Sequence, residues 1–119
     1  MLLKRKIEIE IRHDNSSIYI YAYCKNREVG RIGCTIIEGN KQVKIDDITC
    51  TKNNKGYGSL MMMKLIKFAK ENGFQSIIGF LACVDRGHEK RLYHFYQKFG
   101  FEITPNDEGM KFADIRLNL

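Results

Sequence analysis

The chain of 119 residues contains one proline, too few for a stiff proline-rich linker or a disordered low-complexity segment. Its four cysteines, Cys24, Cys34, Cys50 and Cys83, form no CxxC pair, and no histidine stands at zinc spacing from them. No metal is therefore expected. Each cysteine falls in a stretch that reads as strand, and a buried, reduced thiol accounts for it without a disulfide framework. After the basic run Lys4-Arg5-Lys6, alternating residues stand where a secretory signal would carry an apolar core. No apolar stretch approaches the length of a membrane span, so no membrane partner is expected and the location expected is cytoplasmic. Internal repeats and linkers are missing too, so residues 1–119 are expected to form one domain.

What is present suits such a domain. Apolar residues make up 44% of the chain and charged residues 29%, and a domain of this size buries about two-thirds of its unfolded surface. The formal net charge of +6 suits a polyanionic ligand, either a phosphorylated cofactor or nucleic acid. Residues 6–12 alternate apolar and polar, with Ile7, Ile9 and Ile11 on one side, as in a half-buried strand. A turn cluster at residues 13–17 leads to a second alternating strand, 18–24, which sends Tyr19, Tyr21 and Tyr23 to one face. Hairpin signals at 25–27 and 38–40 bound a third strand, 28–37, and residues 43–51 make a fourth.

The period then changes. Leu60, Met61, Met63, Leu65, Ile66, Phe68 and Ala69 leave a narrow polar stripe at Lys64, Lys67, Lys70 and Glu71, the pattern of a helix packed onto a sheet. Asn72-Gly73 ends it. The continuous apolar run 76–83 predicts a central strand covered on both faces. Leu92, Phe95, Tyr96 and Phe99 mark a second amphipathic helix, stopped by Gly100, and two strands follow over 101–104 and 110–117. The order ββββαβαββ is that of an α+β domain.

The segment Lys52-Asn53-Asn54-Lys55-Gly56-Tyr57-Gly58-Ser59 joins the fourth strand to the first helix. Helix N-termini carry unpaired N–H groups and partial positive charge, and they bind phosphate. Glycines at 56 and 58 let the main chain approach a bulky anion, and Lys52 and Lys55 add positive charge. A P-loop would need GxxxxGK[ST], which is absent, and a dinucleotide fingerprint would need glycine where Met61 stands.

Asn53-Asn54-Lys55-Gly56-Tyr57-Gly58 resembles the Q/R-x-x-G-x-G/A loop of the GCN5-related N-acetyltransferases, except at its first position. Phe95-Tyr96-Gln97-Lys98-Phe99-Gly100-Phe101 matches that family's F/L-Y-x-K-x-G-F pattern in full. The resemblance covers about residues 6–117. It implies a mixed, mostly antiparallel central sheet, flanked by two main helices and splayed between its fourth and fifth strands. It also implies acetyl-CoA as co-substrate, its pantetheine along Ile48 and Cys50 and its pyrophosphate at Lys52, Asn53, Asn54, Lys55, Gly56, Tyr57, Gly58 and Ser59. An amine acceptor, a protein lysine or a small amine, would attack the thioester directly. Tyr96 would protonate the departing thiolate, and Asp46 or Asp47 would take the amine's proton. Alternation sends the two aspartates to opposite faces, so that only one reaches the cleft.

Three departures from the family pattern bear on this reading. Asn53 replaces the glutamine or arginine that usually opens the loop. Glu89 and Leu92 stand where members often carry N-x-x-A. Only residues 13–17 separate the first two strands, where members usually have one or two helices over the acceptor site. That last departure implies an open acceptor site, or one completed by a second subunit as in a homodimer. Two other readings compete with amine acetylation. A nucleic-acid module would use the tyrosine face as a stacking platform, but no RNP-type motif is present and the element order is not βαββαβ. A non-catalytic acyl-CoA sensor would share the fold and tolerate loss of Tyr96.

Overall fold

The computed structural model describes residues 6–37, 39, 41–51, 56–82, 88–106 and 108–119. Four strands come first: β1 (Ile7–His13), β2 (Ser17–Cys24), β3 (Arg27–Ile37) and β4 (Gln42–Cys50). Then follow α1 (Tyr57–Glu71), β5 (Ser76–Ala82), α2 (Glu89–Lys98), β6 (Glu102–Pro105) and β7 (Lys111–Asn118). The strands form one sheet in the order β1-β2-β3-β4-β5-β7-β6. Every neighbouring pair is antiparallel except β4 and β5.

Local chemistry sets the turns. The Asp14 carboxylate accepts hydrogen bonds from the backbone N–H groups of Ser16 and Ser17, both at 2.8 Å, and closes the β1–β2 connection within three residues. No helix stands between these strands. Lys25 and Asn26 both have positive φ, 53° and 63°, as a two-residue hairpin requires if its twist is to match the strands.

Alternation along β2 places Ile18, Ile20 and Ala22 on one face, where they join Ile32, Cys34, Val43 and Ile45 in a core closed by Met61, Met62, Leu65 and Ala69 of α1. Gly30 admits this helix closely: a Cβ there would lie 2.7 Å from Met61 Cε. The polar stripe of α1 is wider than the sequence suggests, because Leu60 and Met63 are exposed.

The other face of the sheet is open over β2 to β5. Tyr19 is exposed, and Tyr21 lies between the guanidinium groups of Arg12 and Arg31, at 5.1 and 5.2 Å. β5 lies between β4 and β7, but it is not covered on both faces: Phe80 is exposed and Ile78 half-buried.

Candidate active site

Two irregularities in β4 create the site. Its parallel pairing with β5 comprises Gln42 with Ser76, Val43 with Ile77 and Lys44 with Ile78, and then stops. Both strands continue, β4 to Cys50 and β5 to Ala82, so they splay apart and leave one edge of β4 without a ladder partner among the described residues. The second irregularity is a bulge. Gly33 pairs with Asp47 and the adjacent Cys34 pairs with Ile45, so Asp46 is an extra residue on β4.

The bulge changes the expectation for the aspartates. Strict alternation would separate them, but the extra residue resets the period, and both carry their side chains on the face opposite α1. Asp46 accepts a hydrogen bond from Thr35 Oγ1 at 2.6 Å and lies 3.9 Å from Lys44 Nζ. Asp47 pairs in register with Gly33, whose other neighbour is Tyr19. Asp47 has no hydrogen-bond or ion-pair partner among the described residues.

The splay opens into a cavity of about 770 Å³. Asp46, Asp47, Ile48 and Cys50 line it from β4; Phe80 and Leu81 from β5; Gly56, Tyr57, Gly58 and Ser59 from the start of α1. Tyr96 reaches it from α2, nearly buried, its ring edge-on to Phe95 and Phe101 at 5.2 and 5.4 Å. Nine of the thirteen candidate residues named from the sequence thus meet in one cavity. The other four, Lys52, Asn53, Asn54 and Lys55, lie outside the described residues, as does Cys83.

The start of α1 suits an anion. Gly56 is its N-cap with φ of 80°, a left-handed conformation natural to glycine, and Leu60 N–H donates to Gly56 O at 3.1 Å as the first helical bond. The helix has no side-chain cap and no acidic residue in its first turn. Its positive end is therefore not neutralised from within α1.

The fold recurs in known proteins. Residues 2–101 match the model of the acetyltransferase (GNAT) family. The chain belongs to this family. It is 32% identical over 83 residues to the uncharacterized protein YocC of Bacillus subtilis (strain 168), covering 67% of this chain. The match spans about half, 49%, of YocC. Among solved structures, the fold is similar to that of PaiA N-acetyltransferase from Thermoplasma acidophilum in complex with coenzyme A. The TM-score is 0.72 at 17% identity, over 87% of this chain and 62% of that one. A Bacillus subtilis acetyltransferase in complex with CoA gives a TM-score of 0.71 at 16% identity, over 98% of this chain and 99% of that one.

In this GNAT chain the cavity also holds residues to which sequence reasoning gave no role. Lys98, the lysine of the second motif, donates from Nζ to Ser59 Oγ at 2.6 Å and lies 5.4 and 5.3 Å from the Phe95 and Phe99 ring centroids. A cation beside a helix N-terminus is unfavourable by about 0.3–1 kcal/mol. An anion between the two reverses the sign. Arg91 and His94 of α2 line the cavity as well. Tyr93 instead stacks on Phe112, and His13 packs on Phe68. Glu89 begins α2, and Leu92 lines the cavity one turn on. Met61 and Met62 are core residues.

The thiols near the site are held protonated. Burial pushes Cys34 up to about 12, and the charge on Asp46 adds to the effect. Burial also raises Cys50. Neither has the thiolate character of a nucleophile at neutral pH.

Proposed function

We propose that this GNAT chain transfers an acetyl group from acetyl-CoA to a primary amine by direct attack of the amine on the thioester. The observation that carries this reading is the splay of β4 from β5. It leaves β4 backbone groups beside Ile48 and Cys50 available to an extended ligand arm, aligned with the uncapped start of α1. The pantetheine lies along that edge, and the pyrophosphate lies at Gly56, Tyr57, Gly58 and Ser59, with Lys98 closing over it. Burial raises the thiols of Cys34 and Cys50 and makes them poor nucleophiles, which favours direct transfer over an acyl-cysteine route.

A lysine-like amine with a pKa of ~10.4 is neutral only ~0.04% of the time at pH 7, a deficit of about 4.6 kcal/mol. An acceptor for its proton is therefore needed before attack. Asp46 is engaged by Thr35 and Lys44, whereas Asp47 is free to receive it. Asp47 is accordingly the base, directly or through a water, and Asp46 fixes the bulge that presents it. As the tetrahedral intermediate collapses, the C–S bond breaks and the Tyr96 hydroxyl gives its proton to the CoA thiolate.

Release of free CoA thiol tests the reading, with acetyl-CoA and a panel of polyamines, aminoglycosides and lysine peptides. Tyr96→Phe should lower kcat about 100-fold while acetyl-CoA affinity stays within about two-fold. Full turnover by that variant would remove the general-acid role. Acetyl-CoA binding without turnover of any amine would point to a sensor.

A further inference from the structure

The open face beside the aspartates shows a pattern of its own. Across β2, β3 and β4 the register aligns Tyr19, Gly33 and Asp47 in one row. Gly33 has no side chain, and the Tyr19 ring lies down over it: a Cβ at Gly33 would meet Tyr19 Cε1 at 3.3 Å and Cδ1 at 3.7 Å. An aromatic ring is thereby laid across β3 towards the strand that carries the unpartnered Asp47. Tyr19 is 40% exposed on this surface, and on the far side of the aspartates Phe80 of β5 is 44% exposed.

One half of this surface already holds an ammonium group. Lys44 Nζ lies 5.7 Å from the centroid of the Phe80 ring and 3.9 Å from Asp46 Oδ1, a cation between an aromatic face and a carboxylate. Tyr19 and Asp47 repeat those two parts one strand over, without a cation between them among the described residues.

Resting on the acetyltransferase reading above, we propose that Tyr19, Gly33 and Asp47 form the acceptor subsite and that it takes the side chain of a lysine presented by another polypeptide. The aliphatic stem crosses the Tyr19 ring and the ammonium group comes to Asp47, which removes its proton for attack. The openness of the face selects a polypeptide over a small amine. Small-molecule sites enclose most of their ligand's surface, whereas among the described residues Tyr19 and Asp47 stand exposed on either side of the buried Gly33. A lysine on a protein brings its own surrounding surface to cover the aromatic rings.

The test uses the whole chain, acetyl-CoA and two probes: an end-blocked pentapeptide with a central lysine, and spermidine. Initial rates of CoA release give kcat and KM for each, and calorimetry gives acetyl-CoA affinity. The native chain should prefer the peptide. Tyr19→Ala should raise peptide KM about ten-fold, leaving kcat and acetyl-CoA affinity within about two-fold. Gly33→Val, a strand-compatible change that lifts the ring, should do the same. Peptide KM unchanged in both variants overturns the subsite, as does a native preference for spermidine or turnover of neither probe by a chain that binds acetyl-CoA. Failure to bind acetyl-CoA at all would instead defeat the acetyltransferase reading.

Discussion

Lys98 shows how little a side chain's role is contained in its own position. In sequence it is one basic residue among twenty Lys and Arg, at the end of an amphipathic helix. In the fold its ammonium group bridges from α2 to Ser59 at the start of α1, where the helix dipole opposes a cation. If the arrangement serves a phosphate group, Lys98→Gln should weaken CoA binding about ten-fold at low salt, and the loss should shrink as salt screens the pair. Pantetheine, which has no pyrophosphate, should bind both proteins alike; equal losses for the two ligands would make Lys98 a structural residue. Tyr96 is legible in the sequence as a candidate, because a seven-residue motif surrounds it. Asp46 and Asp47 are legible as a pair of candidates, but their shared face is not. A period of two places residues on faces only while the ladder is regular, and the extra residue at Asp46 resets it.

At the scale of elements, the strands and helices follow from hydrophobic period and turn chemistry. Their ends shift by a few residues, as when α1 begins at Tyr57, before the apolar pattern. Cover was less legible. The apolar run of β5 identifies a strand, but nothing in that run tells that Phe80 stands exposed beside the splay. The β6–β7 turn is held by Asp114, which accepts from Asn106 Nδ2 at 2.7 Å and Lys111 Nζ at 2.9 Å. The Asn106 hydrogen bond foremost, and then Lys111, keep this carboxyl below its ordinary value of 3.8. A depressed carboxylate contributes stability that is fully present above the unfolded value and disappears as pH falls through the folded one. Asp114→Asn should therefore lower stability at pH 7 by about 0.5–1 kcal/mol, the range of a solvent-screened pair. Thermal melts should show that difference closing below about pH 4. A constant difference across pH would mean that charge is not the cause.

For the whole molecule, one departure from a regular sheet organises the rest. β4 and β5 part after three residue pairs, and the start of α1, the buried Tyr96 and the two aspartates all meet where they part. A splay of this kind has no signature in hydrophobic period, because both strands read as ordinary strands to their ends. It became an expectation through two motifs in order, Gly56-Tyr57-Gly58 and the run around Tyr96, which tie the sequence to a family whose sheet opens there. The acceptor side has no such motif, and its open face became visible only with the register of Tyr19, Gly33 and Asp47.

The central claim is that this opening binds acetyl-CoA with its pyrophosphate at the start of α1. Calorimetric titration of acetyl-CoA into the native chain and into Gly56→Glu tests it most directly. A side chain at Gly56 would meet nothing within 4 Å, so the substitution adds a negative charge where the phosphates belong, at the cost of a strained φ of 80°. Circular dichroism verifies that the variant is folded. The account predicts saturable binding with a Kd on the order of micromolar by the native chain, weakened at least about 100-fold in the variant. No binding by the folded native chain, or equal binding by both, would contradict it.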